Sequence, residues 1–370
     1  MELKPLRQCL KRPKGKIVRL DPRLDKLIAT DARIEKLTEG HKWTEGPVWN
    51  KKDGYLLYSD IPNNAIFKWQ EGRDESEFLK PAGYYGKDPF TGKEPGTNGL
   101  TYNSDGLLVS CEHGERRIAR LESDNKTKTA LADKYNGKRF NSPNDLVYKS
   151  NGDLYFTDPI YGLPKGADDA GRELDFCGVY RLSKDGKVTL LTKEITRPNG
   201  IAFSPDEKKL YVASSDPDKA IWMVYDVKPD GTLGAGKVFK DVTAWVKEGK
   251  PGLPDGMKVD KDGNLWATGA RNQLVRFDPR TAQFRYFDYG RVFGENPGAT
   301  HSFDFVQDGN KNYTVITAPP SSSSGSHCRP SSGGWSATME DRNALGRFGS
   351  RPTSPSPRPA SQSSTPAALR

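Results

Sequence analysis

The sequence predicts an all-β protein, a six-bladed β-propeller with an irregular last blade and a disordered C-terminal tail. Three observations predict it. One polar residue leads an apolar run six times, most clearly in Pro-Asn-Asp-Leu-Val-Tyr (143–148), Arg-Pro-Asn-Gly-Ile-Ala-Phe (197–203) and Leu-Pro-Asp-Gly-Met-Lys-Val (253–259). The leading residues are Glu45, Asn98, Asn144, Asn199, Asp255 and His301, and four positions on stands Trp49, Tyr102, Tyr148, Phe203, Val259 or Phe305. Seven positions after each leading residue, or eight after the first, comes a tight turn: Asp53-Gly, Asp105-Gly, Asn151-Gly, Asp206-Glu, Asp262-Gly or Asp308-Gly. Such dipeptides tolerate the positive φ that a short hairpin needs. The turns recur every 46 to 56 residues or so, room for one four-stranded blade each. A plain β-sandwich would not hold a polar residue in phase ahead of every turn.

The elements follow in order. Residues 1–27 form a basic lead. Alternation toward the end of 24–37 suggests an outer strand that closes the ring. Blade one runs from Trp43 to Trp69, and the polar stretch 71–96 reads as a long inter-blade loop able to fold over a mouth. In blade two, His113 directly follows the strand 107–110. Blade three ends its second strand at Thr157-Asp158, carries a polar insertion over 165–175, and then a hairpin about Asp185-Gly186. Blades four and five are led by Asn199 and Asp255, with an outer hairpin turning at Asp278-Pro279. Blade six has two strands of its own, so N-terminal strands must complete it or the ring is imperfect. The propeller thus occupies residues 28–320, and the Ser/Pro-rich remainder, 321–370, buries too little apolar surface to fold.

The formal charge of +9 belongs to the ends: residues 1–24 carry 8 Lys/Arg against 2 acids, and 321–370 carry 6 against 2. The body is close to neutral, which argues against a nucleic-acid surface. The four cysteines are scattered without a CxxC pair and read as free thiols of a reducing compartment. No apolar core follows the basic N-terminus and nowhere do 18 apolar residues run together, so a cytoplasmic protein without a membrane segment is expected. No Gly-x-Ser-x-Gly elbow is present, which leaves a serine-esterase mechanism unsupported.

If each leading residue opens the inner strand of its blade, all six ring one mouth of the central channel. Oxygen ligands converging from different blades suit a Ca²⁺-type ion, and Mg²⁺ or Zn²⁺ would be accepted by the same set. Such an ion would polarise a substrate carbonyl, while a carboxylate on the same mouth, Asp255 or Glu45, deprotonates water.

Thr-Glu-Gly-Pro-Val-Trp (44–49), Ser-Asp-Ile-Pro-Asn-Asn (59–64), Asn-Ser-Pro-Asn-Asp-Leu-Val (141–147), Asp-Leu-Tyr-Phe-Thr-Asp-Pro (153–159), Arg-Pro-Asn-Gly-Ile-Ala-Phe-Ser (197–204) and Leu-Pro-Asp-Gly-Met-Lys-Val-Asp (253–260) together resemble the gluconolactonase / senescence marker protein-30 (regucalcin) family of six-bladed propellers. The resemblance covers roughly 28–270, and His113-Gly-Glu-Arg-Arg-Ile-Ala-Arg is similar to its bacterial gluconolactonase branch. It implies a metal held by Glu45, Asn199 and Asp255, with Asn144 on the metal or the substrate, and a sugar lactone as substrate. Asn98 and His113 are further candidates for substrate contact. Several shorter members carry an Arg two positions before the residue matching Asn144, whereas Ser142 stands here. Past Ala270 the match fades toward a streptogramin-lyase type of blade. A phosphotriesterase-like or lyase-like enzyme and a non-catalytic interaction propeller remain alternatives.

Overall fold

The computed structural model describes residues 30–32, 34–249, 252–269, 273–277, 284–287, 302–308, 311–318 and 335–340. At the expected turns Gly54, Gly106, Gly152 and Gly263 have φ of 64°, 77°, 90° and 82°. The fourth turn places Glu207 at φ 54° instead. Its carboxylate explains the exception, because it accepts from the Ser150 amide at 2.6 Å, the Ser150 hydroxyl at 2.6 Å and Lys149 at 2.9 Å, tying this turn to the preceding one. The turn at 308–310 lies partly outside the described residues, as do His301 and Asp278-Pro279.

Each turn joins the first two strands of a four-stranded antiparallel sheet. The first sheet comprises Thr44–Asn50, Tyr55–Asp60, Ala65–Trp69 and Ser76–Leu79, paired in that order. The last of these corrects the reading of 71–96 as loop throughout: Ser-Glu-Phe-Leu is too short and too mixed to announce a strand alone, and pairing with Ile66–Lys68 supplies what its own pattern lacks. The second sheet spans Thr97–Tyr102 to Lys128–Ala132, the third Leu146–Tyr148 to Val188–Thr192, the fourth Pro198–Phe203 to Lys237–Asp241, and the fifth Met257–Val259 to Phe284–Phe287. A further sheet runs in the order Ile34–Thr38, Trp335–Glu340, Lys311–Ala318, Ser302–Asp308. The strand expected near the N-terminus therefore lies at an edge of the sheet that contains 302–318. The expectation of disorder over 321–370 is corrected at Trp335–Glu340, where the open edges of Lys311–Ala318 and Ile34–Thr38 give the backbone a ladder on both sides.

The core lies between neighbouring sheets rather than within one. Val48, Leu57 and Ile66 meet Leu100 and Leu108. Ile118 and Val109 meet Phe140, Leu146 and Phe156, with Phe140, Phe156 and Tyr180 in mutual ring contact at 5.2–5.3 Å. Tyr155 and Val179 meet Ile201 and Val212, and Trp222 and Ala213 meet Met257 and Leu265. This face-to-face packing in chain order is a propeller-like arrangement, with apolar residues on both faces of the middle strands. Thr44–Asn50 contacts both Thr97–Tyr102 and Ser302–Asp308, and the latter also contacts Met257–Val259.

Candidate functional site

The leading residues occupy breaks in the inner strands. Register shifts fall between Glu45 and Val48, between Thr97 and Leu100, and between Pro198 and Ile201. In the third and fifth sheets the ladder begins only at Leu146 and Met257, just past Asn144-Asp145 and Asp255-Gly256. A bulge re-aims a side chain that regular pairing would hold on the pleat, so one local defect, repeated, sets these polar groups apart from the core.

Glycine after the leading residue lets neighbouring inner strands touch. A Cβ on Gly46 would stand 2.1 Å from the Asn98 carbonyl oxygen, one on Gly99 2.7 Å from that of Asn144, and one on Gly200 2.3 Å from that of Asp255. Gly99 N donates to the Asn144 carbonyl at 2.8 Å. A second set of links comes from hydroxyls near the ends of the second strands. Ser59 Oγ donates to the Asn98 carbonyl at 2.9 Å, Thr157 Oγ1 to the Asn199 carbonyl at 2.7 Å, and Ser215 Oγ to the Pro254 carbonyl. Each hydroxyl thus clasps the next sheet at or beside its leading residue, and Glu45, Asn98, Asn144, Asn199 and Asp255 are brought into one chain of contacts. His301 lies outside the described residues.

The acid that follows the hydroxyl in the first and third sheets holds the entry to its own inner strand. Asp60 accepts from the amides of Lys42 at 3.1 Å and Trp43 at 3.2 Å, and Asp158 from those of Asn141 at 2.9 Å and Ser142 at 2.8 Å. These Ser/Thr-Asp pairs escaped the sequence reading as site-building residues, although Ser59-Asp60 and Thr157-Asp158 repeat at equivalent strand ends.

Glu45, Asn98, Asn144 and Asn199 are 5%, 8%, 3% and 8% exposed, while Asp255 is half-buried and so more open to solvent. Burial raises the Glu45 carboxyl well above its ordinary range, and the negative charge of Asp255 raises it further; the Gly46 amide at 3.4 Å only partly offsets both. Asp145 is raised by burial too, with Lys258 opposing and Asp255 adding to the effect. Its carboxylate accepts from the amides of Leu146 at 2.8 Å and Ile201 at 3.1 Å, the second in the next sheet. Carboxylates from the first, third and fifth sheets therefore sense one another. Asn199 Nδ2 donates to Ser215 Oγ at 2.9 Å, which fixes the amide with its oxygen on the other side.

Among the described residues no three His, Cys, Asp or Glu side chains stand close enough to hold a metal ion by themselves. A site built on Glu45 and Asp255 needs amide oxygens to complete it, and the Asn199 and Asn144 side chains are the available type. The donor chemistry fits a hard divalent cation: two carboxylates, one of them buried and strained by the other's charge, with carbonyl-type oxygens beside them.

His113 is fully buried. The loop that ends at Gly96 reaches it. Asn64 Oδ1 accepts from the amides of Ala82, Gly83 and Tyr84 at 3.1, 2.7 and 3.1 Å, and the Gly96 carbonyl accepts from His113 N at 3.1 Å. The loop is thereby pinned, and Glu94 Oε2 comes to 2.9 Å from His113 Nδ1. That carboxylate stands off the ring N–H direction, so neither ring nitrogen has a well-aligned hydrogen bond. Ser142 Oγ donates to the Pro159 carbonyl at 2.7 Å and accepts from Gly162 N at 2.9 Å, a small-residue anchor for the loop that follows Asp158. No described helix is long and apolar enough to cross a membrane.

The model of the SMP-30/Gluconolactonase/LRE-like region matches residues 43–290. A gluconolactonase from Zymomonas mobilis is 40% identical over 256 residues, 69% of this chain and 72% of its own. A pentonolactonase from Haloferax volcanii is 26% identical over 66% of this chain and 72% of its own. The solved structure of a gluconolactonase from Xanthomonas campestris superposes with a TM-score of 0.69 at 29% identity, covering 89% of this chain and 99% of that one. By these likenesses the chain belongs to the SMP-30/gluconolactonase family.

Proposed function

We propose that this protein is a gluconolactonase-like hydrolase that opens a sugar lactone with the help of one divalent cation, Ca²⁺ by preference, at the mouth where Glu45 and Asp255 meet. The observation that carries the reading is the pair itself. A carboxylate raised first by burial and then by the charge of a second carboxylate from another sheet is poorly stabilised alone and well stabilised by a cation between them. The lactonases among its relatives support the substrate class.

Glu45, Asn199 and Asp255 would hold the cation, with Asn144 beside it. When bound, it would polarise the lactone carbonyl as a Lewis acid. Asp255 takes the proton of the attacking water, because it is the carboxylate of the pair that solvent reaches, whereas Glu45 is 5% exposed. The Ser215 hydrogen bond keeps the Asn199 amide in one orientation, so the ring of donors is set before substrate arrives. Asn98 and His113 line the approach for the sugar.

A complete ring of six blades fits the same reading. Its support is the contact of Thr44–Asn50 with Ser302–Asp308 and the edge pairing of Ile34–Thr38 with Trp335–Glu340, which join the two ends of the chain. The test of function is acid release from glucono-1,5-lactone, followed with and without exhaustive chelation. Hydrolysis that stops on chelation and returns with Ca²⁺ is expected. Undiminished hydrolysis after chelation would sink the metal requirement, and none on any lactone with metal restored would sink the lactonase reading.

A further inference from the structure

We propose that Tyr161, on the loop after Asp158, is a substrate-binding residue that selects lactones bearing ring hydroxyls, acting with His113 as one wall of the mouth; this rests on the lactonase reading above. The Tyr161 hydroxyl is buried and makes no well-formed hydrogen bond among the described residues. It faces Ser215 and feels the charge of Asp255, and burial is the main cause that holds it protonated. Ser215 Oγ accepts from Asn199 Nδ2 and donates to the Pro254 carbonyl next to Asp255. Tyr161 therefore lies against the hydroxyl that links Asn199 to the residue before Asp255, and its own O–H makes no well-aligned hydrogen bond there.

His113 repeats the situation from the neighbouring sheet, with two ring nitrogens buried and poorly aligned to Glu94. The two groups belong to one wall. A Cβ on Gly162 would lie 2.6 Å from the Cβ of His113 and 2.8 Å from that of Ser142, so the Tyr161-Gly162 backbone is pressed onto both. Only a small residue at 142 and no side chain at 162 permit that approach. Buried polar groups without partners are costly, and at a binding mouth they are satisfied by a ligand. A polyhydroxylated ring offers alternating donors and acceptors that suit a tyrosine hydroxyl, a histidine and a carboxylate together. A lactone without hydroxyls would leave the tyrosine hydroxyl and the histidine ring without well-aligned partners, which is how a polar pocket rejects an analogue.

The test compares kcat/KM for glucono-1,5-lactone with that for δ-valerolactone, which has the same ring and no hydroxyls, in wild type, Tyr161→Phe and His113→Asn. Tyr161→Phe should lose roughly ten- to a hundredfold on gluconolactone, mostly as a higher KM, and stay within about twofold on δ-valerolactone. His113→Asn should narrow the preference in the same direction. An unchanged preference in an active Tyr161→Phe enzyme, or an equal loss on both lactones, would overturn the assignment while leaving the lactonase reading standing. A wild type that hydrolyses neither lactone would overturn that reading and this one with it.

Discussion

The Thr157 hydroxyl crosses from the second strand of the third sheet to donate to the Asn199 carbonyl in the inner strand of the fourth, at 2.7 Å. It also accepts from the Asp145 amide at 3.2 Å, so one side-chain oxygen ties together the residue after Asn144 and the carbonyl of Asn199. Fold and site are held by the same bond.

Thr157→Val keeps the volume and removes the oxygen. The buried Asn199 carbonyl and Asp145 amide then lose a partner, which should cost about 1–3 kcal/mol of stability in denaturant unfolding. Because the Asn199 backbone is released at the same time, half-saturation by Ca²⁺ should rise in the lactonase assay. Unchanged stability and unchanged metal dependence together would show that the clasp does not position the site.

The glycines beside the leading residues should be intolerant in a way that turn glycines are not. Gly200→Ala drives a Cβ to 2.3 Å from the Asp255 carbonyl and must push two inner strands apart, at a cost of about 1–3 kcal/mol and with loss of most activity. Gly186→Ala meets nothing within 4 Å and bears only the strain of its φ of 83°, so it should keep its turnover. Equal activity in the two variants would contradict the close approach.

His41 predicts a pH dependence of stability. It is 3% exposed, with Nε2 at 2.8 Å from Glu75, 3.1 Å from the Tyr58 hydroxyl and 3.2 Å from that of Thr38, and Nδ1 at 3.4 Å from Asp60. Burial alone would lower its pKa, but the hydrogen bonds and charges of Asp60 and Glu75 outweigh burial and raise it to about 9. Since the folded value lies above the ordinary 6.5, the contribution is complete below about 6.5 and is lost as pH climbs through about 9. Unfolding of the wild type minus that of His41→Gln, measured at several pH values across this window, should shrink toward high pH. A constant difference would mean that His41 is neutral throughout.

Much of this was legible in the sequence because it is local. A Gly after an Asp or Asn and a polar residue seven or eight positions earlier are properties of one stretch of chain, and four such turns adopt the expected positive φ, with Glu207 doing so at the fourth turn. The leading residues could be picked out for the same reason. What stayed hidden depends on neighbours. Ser59, Thr157 and Ser215 look like ordinary strand residues until the next sheet is placed against them. Tyr161 sits in a polar loop whose role depends on Gly162 resting against His113, a contact across two sheets. Ser76–Leu79 and Trp335–Glu340 become strands by pairing with an edge rather than by their own alternation.

The most direct test is lactone hydrolysis by Asp255→Asn and Glu45→Gln across a full Ca²⁺ titration, with metal binding followed in parallel by calorimetry. Both substitutions remove a negative charge from the pair and should weaken Ca²⁺ binding. At saturating Ca²⁺, Glu45→Gln should regain turnover, while Asp255→Asn should bind the ion and remain inactive, since it lacks the carboxylate that takes the proton from water. Full recovery of Asp255→Asn at high Ca²⁺ would contradict the role assigned to Asp255 at the centre of the mouth.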